Sequence, residues 1–118
     1  MTVAPGVGTA ADWRSSPPRE VPVIAAFSVT PLGAGDSVGD LVGECVRIVR
    51  ASGLTCETNA MFTNVEGPWD DVMAVIKQCV DHVAEVAPRV SVVVKIDHRP
   101  GVDDLLGHKN ARVAEIAD

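Results

Sequence analysis

The groups able to do chemistry in this chain fall into a few short stretches. Phe62 to Asp71 reads FTNVEGPWDD and sets the carboxylate of Glu66 directly before Gly67-Pro68. A carboxylate there is either solvated at a strand end or aimed into a site as an acceptor for a cationic or amino-bearing ligand. Lys95, Asp97 and Arg99 alternate along VVVKIDHR, so on a strand they share one face. That ladder either orients a ligand, pairs across a subunit boundary, or is a set of solvated ion pairs of little energetic weight.

Other constellations are weaker. Cys79 and His82 are spaced to share a metal on one helix face, but no third and fourth ligand at suitable spacing accompanies them, and the sequence implies no metal site. Pro31-Leu32-Gly33-Ala34-Gly35-Asp36-Ser37 resembles an anion-cradling turn, yet it lacks the lysine of a P-loop and the full GxGxxG, so it reads as a connector. His82, His98 and His108 have no nucleophile or ligand set beside them in the sequence and read as structural or exposed. Trp69 reads as a core anchor rather than a stacking surface.

These groups must be positioned by a single domain, because 118 residues with 47% apolar content can build one core and hardly two. The net charge of -6 opposes nucleic-acid binding, which needs clustered Lys and Arg, and favours a neutral or cationic small ligand. The longest apolar runs are too short to span a membrane. Three cysteines, Cys45, Cys56 and Cys79, with no CxxC spacing, argue against a disulfide framework and for reduced thiols in a cytoplasmic protein. Residues 1–20 are rich in Pro, Gly, Ser and Ala and read as a flexible tail, leaving 21–118 as the domain.

Val21 to Thr30 reads as a first strand ended by Pro31, and residues 37–52 as a helix stopped by Gly53. Leu54–Thr58 and Met61–Glu66 read as two strands of a hairpin, separated by Asn59-Ala60. A second helix begins at Pro68 and ends at Pro88, with Val72, Val75, Ile76, Cys79, Val83 and Val86 as its apolar stripe. Val90 to Arg99 is the strongest strand, and residues 103–117 suggest a terminal helix. The fold class is therefore α+β, a ferredoxin-like βαββαβ sandwich with an additional C-terminal helix. Two helices would cover one face of the sheet and leave the other open, where Ser28, Asn64, Glu66, Lys95, Asp97 and Arg99 alternate with apolar neighbours. Such a face suits a subunit interface that also holds a ligand.

Three stretches, AFSVTPLGAGDSV, SGLTCETNAMFTNVEG and VVVKIDHR, resemble the small thiamine-binding proteins of the MTH1187/YkoF-like group, the DUF77 or UPF0045 family, over about residues 22 to 117. The resemblance implies a ferredoxin-like fold, homodimers or homotetramers formed by sheet packing, and binding of thiamine or its hydroxymethylpyrimidine moiety without catalysis or cofactor. It places Thr63 and Glu66 on the family's motif, and strand alternation adds Asn64 and Ser28 as flanking groups. Where members usually carry Pro-Met-Gly-Thr, this chain has Ala60-Met61-Phe62-Thr63, so a phenylalanine ring replaces a glycine beside the expected pocket. The ligand-binding set expected from all of this is Ser28, Thr63, Asn64, Glu66, Lys95, Asp97 and Arg99. The alternative is a small ferredoxin-like enzyme, an isomerase or degrading enzyme for a small aromatic compound, with Glu66 or His98 as its base. An RNA-binding module on the same fold lacks the basic field and the strand aromatics it would need.

Overall fold

The computed structural model describes residues 22–100 and 105–117. The flexible tail expected over residues 1–20, Val21 and the start expected for the terminal helix lie outside the described residues.

Apolar alternation builds the central strand. In β1 (Pro22–Leu32) the odd-numbered Val23, Ala25, Phe27 and Val29 are all buried, while Ala26, Ser28 and Thr30 on the other face are partly or fully exposed. A turn of 3-10 helix (Gly35–Ser37) leads into α1 (Val38–Ala51), whose buried positions Leu41, Cys45 and Val49 recur at four-residue spacing. β2 (Thr55–Thr58), β3 (Thr63–Pro68), α2 (Trp69–Ala84), β4 (Arg89–His98) and α3 (Leu105–Ala117) complete the order. The four strands are antiparallel to their neighbours in the order β2-β3-β1-β4, the ferredoxin-like arrangement expected from the sequence.

The core lies between α1, α2 and the sheet face carrying Val23, Ala25, Phe27 and Val65. On α2, Val72, Val75, Ile76, Cys79 and Val83 are buried and form the expected stripe, but Val86 falls beyond the helix and is 57% exposed. Each fully buried valine here contributes about 1.5 kcal/mol of transfer free energy. Trp69, expected in the core, is instead exposed at the first turn of α2. The first turn carries Asp70 and Asp71, which complement the positive end of the helix dipole.

Two turns differ from the sequence reading. β1 continues through Pro31 to Leu32, because beyond Phe27 it pairs with β4 alone and its other side is an edge, where proline is tolerated. β3 likewise runs on through Gly67 and Pro68, which pair with Val23 and Pro22, so the strand does not end at Glu66. A Cβ at Gly67 would sit 2.9 Å from Leu54 Cδ2, so a larger residue there must displace the Leu54 side chain. Pro68, extended at ψ 144°, is the N-cap of α2 rather than its first helical residue.

The hairpin loop is longer than Asn59-Ala60. Asn59 Oδ1 accepts hydrogen bonds from the backbone N–H groups of Met61 and Phe62, both at 2.9 Å, and Asn59 N donates to Phe62 O at 2.9 Å. The asparagine side chain thus closes a loop over residues 59–62 and keeps Met61 and Phe62 out of β3.

Candidate functional site

Strand pairing sorts the residues singled out above. Across the face opposite α1 and α2, register aligns Thr55, Glu66, Ile24 and Asp97 in one row and Glu57, Asn64, Ala26 and Lys95 in the next. Glu66 and Asp97 are thus two strands apart, about 10 Å at ~4.8 Å per strand. Ser28 faces the same way but lies four residues along β1 from Ile24, about 13 Å at ~3.3 Å per residue. Arg99 follows β4 and is exposed. Thr63 belongs elsewhere: it pairs with Phe27 and Thr58 and shares the helix-side face with Val65. The seven residues therefore do not converge on one point.

α3 accounts for the burial of Glu66. Leu106 packs on Ile24, the neighbour of Glu66 in its row, and both apolar side chains are buried. Lys109 Nζ pairs with Asp97 Oδ2 at 2.8 Å, and Asn110 Nδ2 donates to Glu57 Oε2 at 3.2 Å. One tether is on β4 and the other on β2, so the helix crosses the sheet above the row that contains Glu66. Glu66 is 0% exposed, the only charged residue in the buried set of the described residues. The hydrogen bond from Lys109 holds the Asp97 carboxyl below the usual carboxylate range; slight burial opposes this, and Lys109, Lys95 and Arg99 add attraction. Lys95 is exposed, and Asn64 donates across the hairpin to Glu57 O at 3.4 Å.

A cavity of about 210 Å³ opens at the opposite end of the sheet, between the start of α1, the end of β1 and the 59–62 loop. It is lined by Phe27, Phe62, Cys45 and Met61 and by the hydroxyl residues Ser28, Thr30, Thr58 and Thr63. Thr58 and Thr63 hydroxyls lie 3.1 Å apart and bond to one another. The cavity thus brings two aromatic residues together with hydroxyl residues able to donate and accept, a composition suited to a flat heteroaromatic ring. It collects Ser28 and Thr63 from the expected set; Asn64 and Lys95 stand in the row beside Phe27 without lining it, and Glu66, Asp97 and Arg99 lie farther toward the other end of the sheet. Sequence reasoning missed Thr58, Met61 and Cys45 as lining residues. The Asn59 signal for a side-chain-closed loop is what could have shown that Met61 and Phe62 leave the strand.

The histidines are spread apart. His82 Nε2 meets Glu44 Oε1 at 2.5 Å across α1 and α2, and His98 and His108 are exposed. Among the described residues no group of three His, Cys, Asp or Glu could hold a metal ion. No helix among them is long and apolar enough to cross a membrane.

Residues 25–114 match the family model described as Thiamine-binding protein, and this chain belongs to that family. UPF0045 protein Mb1933 of Mycobacterium bovis is 55% identical over 92 residues, covering 77% of this chain and 90% of that protein. UPF0045 protein MJ1052 of Methanocaldococcus jannaschii is 32% identical over 94 residues, covering 80% of this chain and 94% of that protein. Its crystal structure superposes with a TM-score of 0.73, over 80% of this chain and 97% of that one. The structure of a domain of unknown function, DUF77, from Bacillus cereus matches at 28% identity and a TM-score of 0.71, covering 80% and 91% of the two chains. The resemblance read from the three sequence stretches is thereby borne out.

Proposed function

We propose that this chain is a non-enzymatic binding protein for thiamine or its hydroxymethylpyrimidine moiety, acting in the cytoplasm as a homodimer or homotetramer. The observation that carries the reading is the cavity between α1 and the 59–62 loop, in a chain of a family described as thiamine-binding. Its volume is below the ~300–1,000 Å³ of pockets that enclose drug-sized ligands, and it suits one ring better than two. The aminopyrimidine ring enters it, against Phe62, with its donors and acceptors on Thr63 and at the β1 edge beside Ser28. The cationic thiazolium remains at the mouth, in the field of a chain with net charge -6.

Thr63 reaches this ligand from the helix-side face as it stands, and Ser28 borders it at the β1 edge left unpaired by β3 beyond Phe27. A contact from Glu66 requires α3 to lift from its row, and Asn64, Lys95, Asp97 and Arg99 then become its neighbours. Thiamine diphosphate binds worse than thiamine, since no lysine or arginine is among the described residues that line the cavity. Oligomers form by packing of the open sheet face, where Val93 of β4 is 54% exposed.

Isothermal titration calorimetry with thiamine and with hydroxymethylpyrimidine tests the proposal. Saturable heat with ligand recovered chemically intact supports a binder. Chemical conversion of the ligand points instead to the enzyme reading.

A further inference from the structure

Two thiols meet inside the helix layer. Cys45 on α1 and Cys79 on α2 are both buried, at 7% and 0% exposure. Cys45 Sγ lies 3.8 Å from Cys79 O, and Cys79 Sγ lies 3.6 Å from Cys45 O. This reciprocity puts the two side chains face to face at the crossing of α1 and α2, where their small size lets the backbones approach. Close approach of two cysteine residues is the first condition for a disulfide. Cys56, on β2, stands apart from the pair.

The two thiols differ in access. Cys45 is part of the cavity wall, whereas Cys79 is not among the lining residues and stands behind it. A small solute entering the cavity therefore meets Cys45 first. Electrostatics act in the same sense. A hydrogen bond from Cys79 holds the Cys45 thiol below its ordinary range, with burial and Glu44 opposing and the nearby His82 assisting. Cys79 is pushed up by the same hydrogen bond and by burial, and Cys56 is raised by burial with Arg50 opposing. Cys45 is thus the favoured nucleophile and Cys79 the thiol placed to resolve it.

We propose that Cys45 and Cys79 are a hydroperoxide-sensitive dithiol site that closes to an intramolecular disulfide between α1 and α2. The Cys45 thiolate attacks one peroxide oxygen, the O–O bond breaks, and the leaving hydroxide takes the proton that Cys45 gave up, forming water and a Cys45 sulfenic acid. Cys79, on losing its proton, attacks the Cys45 sulfur; the S–O bond breaks and hydroxide leaves with that proton as a second water. Two thiols lose two electrons and hydrogen peroxide is reduced to two waters. A thiol reductant reverses the bond by exchange. Nothing in this chemistry depends on the proposed pyrimidine ligand.

The test exposes the full native chain to hydrogen peroxide, then denatures, alkylates and weighs it. The expected product has lost about 2 Da before alkylation, the two hydrogens of a disulfide. It carries one alkylated cysteine, Cys56, and yields a peptide joining Cys45 to Cys79. Cys56→Ser keeps the mass loss, and Cys79→Ser leaves a Cys45 sulfenic acid that dimedone labels. Three alkylated cysteines after peroxide, an intermolecular disulfide through Cys56, or sulfinic acid at Cys45 with no link would overturn the proposal. The wild-type peptide map decides the matter even if Cys79→Ser does not fold.

Discussion

Thr63 sits where strand register, hairpin loop and cavity meet. Its hydroxyl bonds to Thr58 at 3.1 Å and faces the cavity, so it reaches a ring there without any backbone change. Replacing it by valine keeps the shape and removes one donor and acceptor, a loss of about 1.4 kcal/mol for a net hydrogen bond, or roughly tenfold in Kd. Thr63→Val is therefore expected to weaken pyrimidine binding about tenfold with little change in melting temperature. Unchanged affinity in that variant would remove Thr63 from the site. Glu66 is a different case, since its full burial beneath α3 makes its substitution a change in the packing of the sheet face as well as in charge.

Two contacts between elements carry pH dependence. Glu44 on α1 hydrogen-bonds His82 on α2 and holds the imidazole above its ordinary value; burial slightly opposes, and the charges of Glu44, Glu85 and Cys45 reinforce it. A histidine raised in the folded state contributes stability that is complete below its unfolded value of about 6.5 and vanishes as pH rises through the folded value. Both side chains are more than a third exposed, so the effect is small, below about 1 kcal/mol. His82→Gln should accordingly lower the melting temperature at pH 5.5 and leave it unchanged at pH 9; an equal loss at both would exclude the ion pair. The tethers of α3 are also of modest energy. Lys109→Ala with Asn110→Ala should speed hydrogen exchange in β1 and β3 around Ile24 and Glu66 while global stability falls by about 1 kcal/mol or less. Asp97, lowered by Lys109, contributes to that latch above its unfolded value of about 3.9 and loses the contribution as pH falls through its folded value.

The elements themselves were legible because apolar periodicity changes cleanly from two in β1 and β4 to helical spacing in α1 and α2. What periodicity does not carry is how a later element lies on an earlier one. Leu106, Lys109 and Asn110 give no sign in sequence that they fasten α3 over Ile24 and Glu66. Parity alone would have put Thr63 and Glu66 on opposite faces; the resemblance joined them into one motif, and the structure separates them. The loop was misread for a local reason, the capture of two backbone N–H groups by Asn59, which makes strand-like Met61 and Phe62 part of the turn.

At the scale of the whole molecule, the domain presents a polar open face crossed at one end by α3, a cavity at the other end, and a long strand of partly exposed valines along one edge. Val93 is 54% exposed on the open face of β4, where sheet packing between copies would cover it. Val93→Glu should convert an oligomer to monomer in size-exclusion chromatography with light scattering, whereas an unchanged mass would place the interface elsewhere. The cavity and its proposed ligand are tested most directly by calorimetry on the wild-type chain. Saturable binding of hydroxymethylpyrimidine and thiamine, with a Kd in the micromolar range or tighter and weaker binding of thiamine diphosphate, is the predicted result. No heat and no thermal shift with either thiamine or hydroxymethylpyrimidine would contradict it.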